Sequence, residues 1–203
     1  EYEETKAAFE RAGLDVSNMC LGTMMFGTQV DEKTSMAELD LFLDMGGNFI
    51  DTSNNYAHWQ GTGDESETLL GEWLRDRGGR DKLVIATKVG FDRKGVGAGL
   101  KREQIEYWCD ESLRKLQTDY IDLMLLHQPF CDRYGAYRAL EEAYKEGKLR
   151  AIGVSNFYPD HFIDLASNME IVPAVNQVET HVFDQQREPQ RIIEEFGTRI
   201  MSW

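Results

Sequence analysis

The sequence predicts an α/β fold, a (β/α)8 TIM barrel of which about seven strands and six helices are present in this chain. Three observations predict it. Short apolar runs alternate with amphipathic helical stretches six times, and one further strand follows. The repeat runs roughly 25–35 residues, the length of a strand with its helical crossover. No G-x-G-x-x-G opens the first unit, which weakens a doubly wound dinucleotide fold.

The elements follow in order. Residues 1–15 are polar, helix-prone up to Gly13, and take no place in the scheme. Val16–Gly22 reads as the first strand. Ser35-Met-Ala-Glu38 fits a capping box, and Leu39, Phe42 and Leu43 continue a helix to Gly46-Gly47. Asn48–Thr52 is the second strand, followed by a polar loop to Gly63. Leu70, Trp73 and Leu74 mark the second helix, with Asp64-Glu-Ser-Glu67 as a first turn whose carboxylates suit the helix dipole. Leu83–Val89 is the third strand, and Phe91–Gly99 a glycine-rich loop. Ile105, Trp108, Ser112, Leu113 and Leu116 share one face of the third helix. Tyr120–His127 is the fourth strand, and Tyr137, Leu140 and Tyr144 mark the fourth helix. Leu149–Val154, Phe162–Ala166 and Pro173–Val178 follow as strand, helix and strand. Ile192, Ile193 and Phe196 mark a helix ended by Gly197, and Arg199–Trp203 begins the seventh strand. One domain over 1–203 results, incomplete at its C-terminus. A full barrel takes ~250 residues, and the eighth strand and last helices are missing from the pattern. The edges of strands one and seven are therefore expected to lie open.

Composition narrows the function. The chain is 41% hydrophobic and 29% charged, near globular averages. Its net charge, 22 − 36 = −14, argues against nucleic-acid and anionic-membrane partners. Cys20, Cys109 and Cys131 are widely spaced without a C-x-x-C, so neither a zinc ribbon nor a metal site is expected. That cysteine usage, an acidic N-terminus unlike a signal peptide and the lack of any apolar run of ~20 residues predict a cytoplasmic protein. Cys20 and Cys109 read as core residues, and His161 and His181 as surface or structural ones.

The chemistry-bearing stretch is Phe49-Ile-Asp-Thr-Ser-Asn-Asn-Tyr56. An acid stands at the C-terminal tip of a strand, where chemistry sits in α/β folds. Alternation puts Val84, Ala86 and Lys88 on one face of strand three, and Ile121, Leu123, Leu125 and His127 on one face of strand four. If those faces point inward, Asp51, Tyr56, Lys88 and His127 converge at a barrel mouth. Alone, Asp51 reads as a cap or a surface acid, and His127 as a structural histidine. Together they suit a general acid: an ammonium beside Tyr56 stabilises its phenolate, Asp51 fixes the ammonium, and a histidine orients a carbonyl. No nucleophile–base pair or phosphate loop competes, so carbonyl reduction with a cofactor hydride fits best.

Leu21-Gly-Thr-Met-Met-Phe-Gly27, Phe49–Tyr56, Ala86-Thr-Lys-Val89, Leu125-Leu-His-Gln-Pro129, Gly153-Val-Ser-Asn-Phe157 and Asn176-Gln-Val-Glu179 come in order, each at a strand end. In this the chain resembles the aldo-keto reductase family from Leu14 to Trp203. The resemblance implies a catalytic tetrad of Asp51, Tyr56, Lys88 and His127, with Tyr56 the proton donor. It implies NADPH as cofactor and a small-molecule carbonyl substrate. Ser155, Asn156 and Gln177 match residues that bond the nicotinamide carboxamide. Gly22, Thr23 and Met24 match the first-strand segment beside the cofactor, and Asp51, at the end of strand two, is implied as a cofactor contact as well. Trp203 falls where the family stacks an aromatic ring, usually tyrosine, on the nicotinamide. Ser155 and Asn156 also read as an ordinary helix cap ahead of Pro159. Met25, Phe26, His58 and Trp59 are substrate-pocket candidates. The family's 2′-phosphate and substrate loops have no match here, so NADH remains open beside NADPH, as do the substrate and oligomeric state. Two alternatives stand beside the enzyme: a cofactor-binding regulatory subunit with little turnover, and an inactive barrel fragment.

Overall fold

The computed structural model describes residues 13–91, 101–130 and 132–203. The N-terminal segment 1–12, most of the glycine-rich loop and Cys131 lie outside those residues. The first strand, β1, is Cys20–Gly22, and α1 runs Glu32–Asp44. Then come β2 (Phe49–Asp51), α2 (Glu65–Arg77), a short 3-10 turn, β3 (Val84–Val89) and α3 (Arg102–Leu116). β4 (Ile121–Leu126), α4 (Arg133–Lys145), β5 (Leu149–Ser155) and α5 (Pro159–Asn168) follow. β6 (Val175–Val178), α6 (Arg187–Glu194) and β7 (Arg199–Ser202) complete the described chain.

All seven strands are parallel and pair in sequence order, β1 to β7. One register line runs Gly22, Asp51, Ala86, Leu123, Ala151. The sheet carries two separate apolar layers, as alternation requires. Phe49, Val84, Ala86, Leu123, Leu125, Ala151, Val175 and Met201 form one cluster with Leu14. That cluster joins β2 to β7, so the sheet curls around its own interior. Ile50, Ile85, Met124, Leu126, Ile152 and Val154 face the other way, against the helices. Gly153, paired with Leu125, leaves room for this inner packing: a Cβ there would lie 2.6 Å from the Val175 carbonyl oxygen.

One helix start differs from the sequence reading. α1 begins at Glu32, because Asp31 caps it: Thr34 N–H donates to Asp31 Oδ1 at 2.9 Å. Ser35 lies inside the helix, where its hydroxyl bonds back to the Asp31 carbonyl. Glu67 stands in the first turn of α2, as the sequence predicts, and is fully buried there. It accepts from Thr87 Oγ1 at 2.6 Å and from Lys115 Nζ at 3.3 Å, and Lys115 also reaches Asp64 at 2.6 Å. This tether binds α2 and α3 to the back of β3. The two helices approach closely at Gly71, where a Cβ would meet the Lys115 carbonyl oxygen at 1.9 Å.

Candidate active site

The C-terminal ends of the strands open onto a cavity of about 500 Å3. Asp51 ends β2 and Lys88 stands in β3, both buried. Their inward direction follows from the register that packs Phe49 with Val84 and Ala86 on the inner face. Lys88 Nζ donates to Asp51 Oδ1 at 2.7 Å and Oδ2 at 2.8 Å, to the Thr52 carbonyl at 2.8 Å and to Tyr56 OH at 2.5 Å. Tyr56 OH donates to Asp51 Oδ2 at 3.0 Å. Four acceptors surround an ammonium with three protons, so the donors of Lys88 are fully satisfied in a buried site.

Tyr56 is brought there by the polar loop after β2. The next residue, Ala57, is buried with φ 56°, a left-handed conformation that costs a non-glycine residue of order 1 kcal/mol or more. Strain of this kind persists where surrounding packing over-determines the chain, here around the Tyr56 turn. His127 follows β4 immediately, with its backbone N–H held by the Val89 carbonyl at 2.8 Å. Its ring stands edge-on to Tyr56, centroids 6.5 Å apart.

The electrostatics amend one sequence expectation. Burial raises the Tyr56 phenol well above its usual value, and the Asp51 charge beside it adds to this. The resting phenol is therefore held protonated rather than turned into an acid that ionises by itself. His127 is pushed down to about 3, by burial first and by Lys88 second, so its ring is neutral at physiological pH.

Asp51, Tyr56, Lys88 and His127 all line the one cavity. Gly22, Met24, Ser155, Asn156, Gln177 and Trp203 line it too, as do His58 and Trp59. Gln177 Nε2 donates to Asp51 Oδ2 at 3.3 Å. Ser155 Oγ bonds the Gln177 carbonyl at 3.0 Å. Asn156 takes a left-handed φ of 61°, and its Oδ1 accepts from Trp203 Nε1 at 3.1 Å. The cap of α5 is Tyr158, ahead of Pro159 at the first helical position, so Ser155 and Asn156 do not serve as its cap. Three expected residues lie elsewhere. Thr23 is buried and turned toward α2, bonding the Asp51 carbonyl and Ser66 Oγ. Phe26 packs in the helix-side core. Met25 does not line the cavity, and its carbonyl closes a turn with Thr28 and Val30.

Two residues were not legible as site residues. Phe91 lines the cavity with its ring 5.1 Å from His127 and 6.3 Å from His58. Its only sequence signal is an aromatic residue three past Lys88. Ser53 lies within the strand-end motif itself, 3.3 Å from His127 Nδ1. Among the described residues no cluster of three or more metal-ligating side chains occurs, and no helix is long and apolar enough to cross a membrane.

The wall beside the acid cluster carries groups able to pair with an amide. Gln177 and Asn156 offer amide groups, and Ser155 a hydroxyl. A Cβ added at Gly22 would touch nothing within 4 Å, so that approach is open. Trp203 presents an exposed flat ring beside it.

A family model described as the Aldo/keto reductase family matches residues 18–203. Norsolorinic acid reductase stcV of Emericella nidulans is 40% identical over 162 residues, covering 71% of this chain and 41% of that protein. Glyoxal reductase of Bacillus subtilis is 38% identical over 156 residues, 76% of this chain and 51% of that one. Among solved structures, an aldo-keto reductase from Bacillus halodurans in its holo form superposes with TM-score 0.80 at 29% identity, over 93% of this chain and 62% of that one. A Bombyx mori aldo-keto reductase in complex with NADP gives TM-score 0.76 at 27% identity, over 91% and 61%. The chain spans about half the length of the curated relatives it matches.

Proposed function

The chain belongs to the aldo/keto reductase family, and on that premise we propose that it reduces an aldehyde or ketone to an alcohol, with a nicotinamide cofactor as hydride donor and Tyr56 as proton donor. The observation that carries this reading is the buried Asp51–Lys88–Tyr56 cluster, with Lys88 Nζ 2.5 Å from the phenol oxygen, on the wall of a cavity that also holds a neutral His127.

When bound, the cofactor supplies a hydride to the carbonyl carbon. Gln177, Ser155 and Asn156 would hold its carboxamide, and Trp203 would cover the ring. As charge builds on the carbonyl oxygen, Tyr56 OH donates its proton to it. Lys88 stabilises the phenolate left behind, and Asp51 keeps Lys88 in place. These donors are positioned before reaction, so little reorganisation is needed when the charge develops. His127 offers a further hydrogen bond to the same oxygen. Burial keeps the phenol protonated until transfer, so the waiting group is the acid form.

NADPH is the preferred cofactor in this reading, supported by the Bombyx mori neighbour solved with NADP. Among the described residues Lys88 is the one Lys or Arg lining the cavity, and Asp51 neutralises it. NADH is therefore the comparison arm of the test. The relatives' names range from norsolorinic acid reductase to glyoxal reductase, so the substrate is read only as a small carbonyl compound. Fluorescence titration of the chain with NADPH and NADH tests the cofactor assignment. Saturable NADPH binding, weakened by Gln177→Ala, is expected; binding of neither nucleotide would contradict it.

A further inference from the structure

Ser53 is fully buried, two residues past Asp51, and the acid cluster makes no use of it. Its Oγ lies 3.3 Å from His127 Nδ1, 2.8 Å from Asn55 Oδ1 and 3.5 Å from the Lys88 carbonyl oxygen. We propose that Ser53 is a positioning residue: by engaging Nδ1 it fixes the tautomer and the turn of the His127 ring, and so leaves Nε2 as the nitrogen offered to the reacting oxygen. The inference rests on the carbonyl-reduction reading only for the identity of that oxygen.

A neutral imidazole has one N–H and one acceptor nitrogen, and the partner of one nitrogen dictates the role of the other. His127 is neutral down to about pH 3. Its Nδ1 is met by Ser53, and among the described residues Nε2 has no hydrogen-bond partner. The ring also packs against Phe91 and edge-on to Tyr56, which restricts its rotation. Ser53 has a single proton to give. When that proton goes to Asn55 Oδ1, Ser53 accepts from Nδ1–H and Nε2 shows a lone pair. When the hydroxyl instead turns onto Nδ1 and gives up Asn55 Oδ1, the ring carries its one proton on Nε2, the Nδ1 proton having exchanged through solvent. A carbonyl oxygen is an acceptor, so the second arrangement is the one that helps reduction. Alanine at 53 removes the partner of Nδ1 and with it the preference between tautomers.

The test is nitrogen-15 NMR of protein carrying labelled histidine, with the His127 signals assigned by their loss in His127→Gln. Spectra are taken with and without acetophenone as a probe carbonyl, and with no nicotinamide nucleotide, so nothing turns over. With acetophenone the wild-type ring is expected to carry its proton on Nε2, and Ser53→Ala to show a mixture of tautomers. With NADPH added, kcat for acetophenone should fall about ten-fold in Ser53→Ala, the effect of one lost hydrogen bond, while NADPH affinity is unchanged. A Ser53→Ala spectrum that keeps the wild-type tautomer overturns the proposal, as does a wild-type ring that, with acetophenone, is a mixture or carries its proton on Nδ1. Because the tautomer is read without turnover, a protein that reduces no carbonyl but shows a Ser53-dependent tautomer refutes the reductase reading and leaves this one standing.

Discussion

Lys88→Met keeps the length and most of the volume of the side chain while deleting its charge. The Lys88 and Asp51 side chains are 2% and 9% exposed. Asp51 accepts from Lys88 on both oxygens, and otherwise, among the described residues, only from Tyr56 OH at 3.0 Å and, more weakly, Gln177 Nε2 at 3.3 Å. The substitution therefore strands a buried carboxylate with neutral partners. Breaking one side of a buried ion pair costs ~3–5 kcal/mol, a large share of the ~5–15 kcal/mol that holds a domain folded. Removing the second charge as well should undo most of the loss, because the desolvation penalty leaves with it. The double variant Lys88→Met/Asp51→Asn is thus expected within about 1–2 kcal/mol of wild type. Urea unfolding of wild type, both single variants and the double variant gives the cycle, with circular dichroism and tryptophan fluorescence as parallel probes. A single variant that loses less than ~1 kcal/mol, or a double variant as unstable as Lys88→Met, would refute the reasoning.

Two further predictions concern parts of the fold that serve the site. His127 has a folded pKa of about 3 against an unfolded value of ~6.5. The unfolded chain takes a proton that the folded chain refuses, so this stabilisation is complete above about pH 6.5 and is lost as pH falls toward 3. His127→Gln should flatten unfolding free energy between pH 6 and 4 by up to ~1.4 kcal/mol per pH unit; an unchanged slope would show that the ring titrates normally. Gly71→Ala places a Cβ 1.9 Å from the Lys115 carbonyl oxygen, a backbone atom that cannot swing away. It should cost ~2–3 kcal/mol in urea unfolding by forcing α2 off α3, and an unchanged midpoint would mean the helices are less tightly apposed.

Much of this architecture is legible in the sequence because two periods carry it. Val84, Ala86 and Lys88 share a face by alternation alone, and both residues below Lys88 pack in the inner cluster. The order of the strands follows from crossover connections that link neighbours. What escapes is set by partners distant in sequence. Val16 to Met19 fall outside β1, and there Asn48 bonds the Asp15 carbonyl and the Ser17 backbone instead. Glu67 looks like a first-turn acid until Thr87 and Lys115, 20 and 48 residues away, are seen to hold it. Thr23 turns away from the cavity because Ser66 Oγ, 43 residues on, takes its hydroxyl. Phe91 enters the cavity wall by the course of the chain beyond β3, which no local pattern encodes.

The central claim is that Tyr56 gives the proton in a cofactor-driven carbonyl reduction. Its most direct test is NADPH consumption with benzaldehyde by the 203-residue chain and by its Tyr56→Phe variant, with NADPH affinity measured on both. The phenylalanine ring keeps the packing and removes only the hydroxyl. Turnover by wild type that falls at least ~100-fold in the variant, the usual contribution of a general acid, with NADPH affinity preserved, is the predicted result. A variant that turns over near the wild-type rate would contradict the account, and so would a wild type that binds NADPH tightly and consumes none.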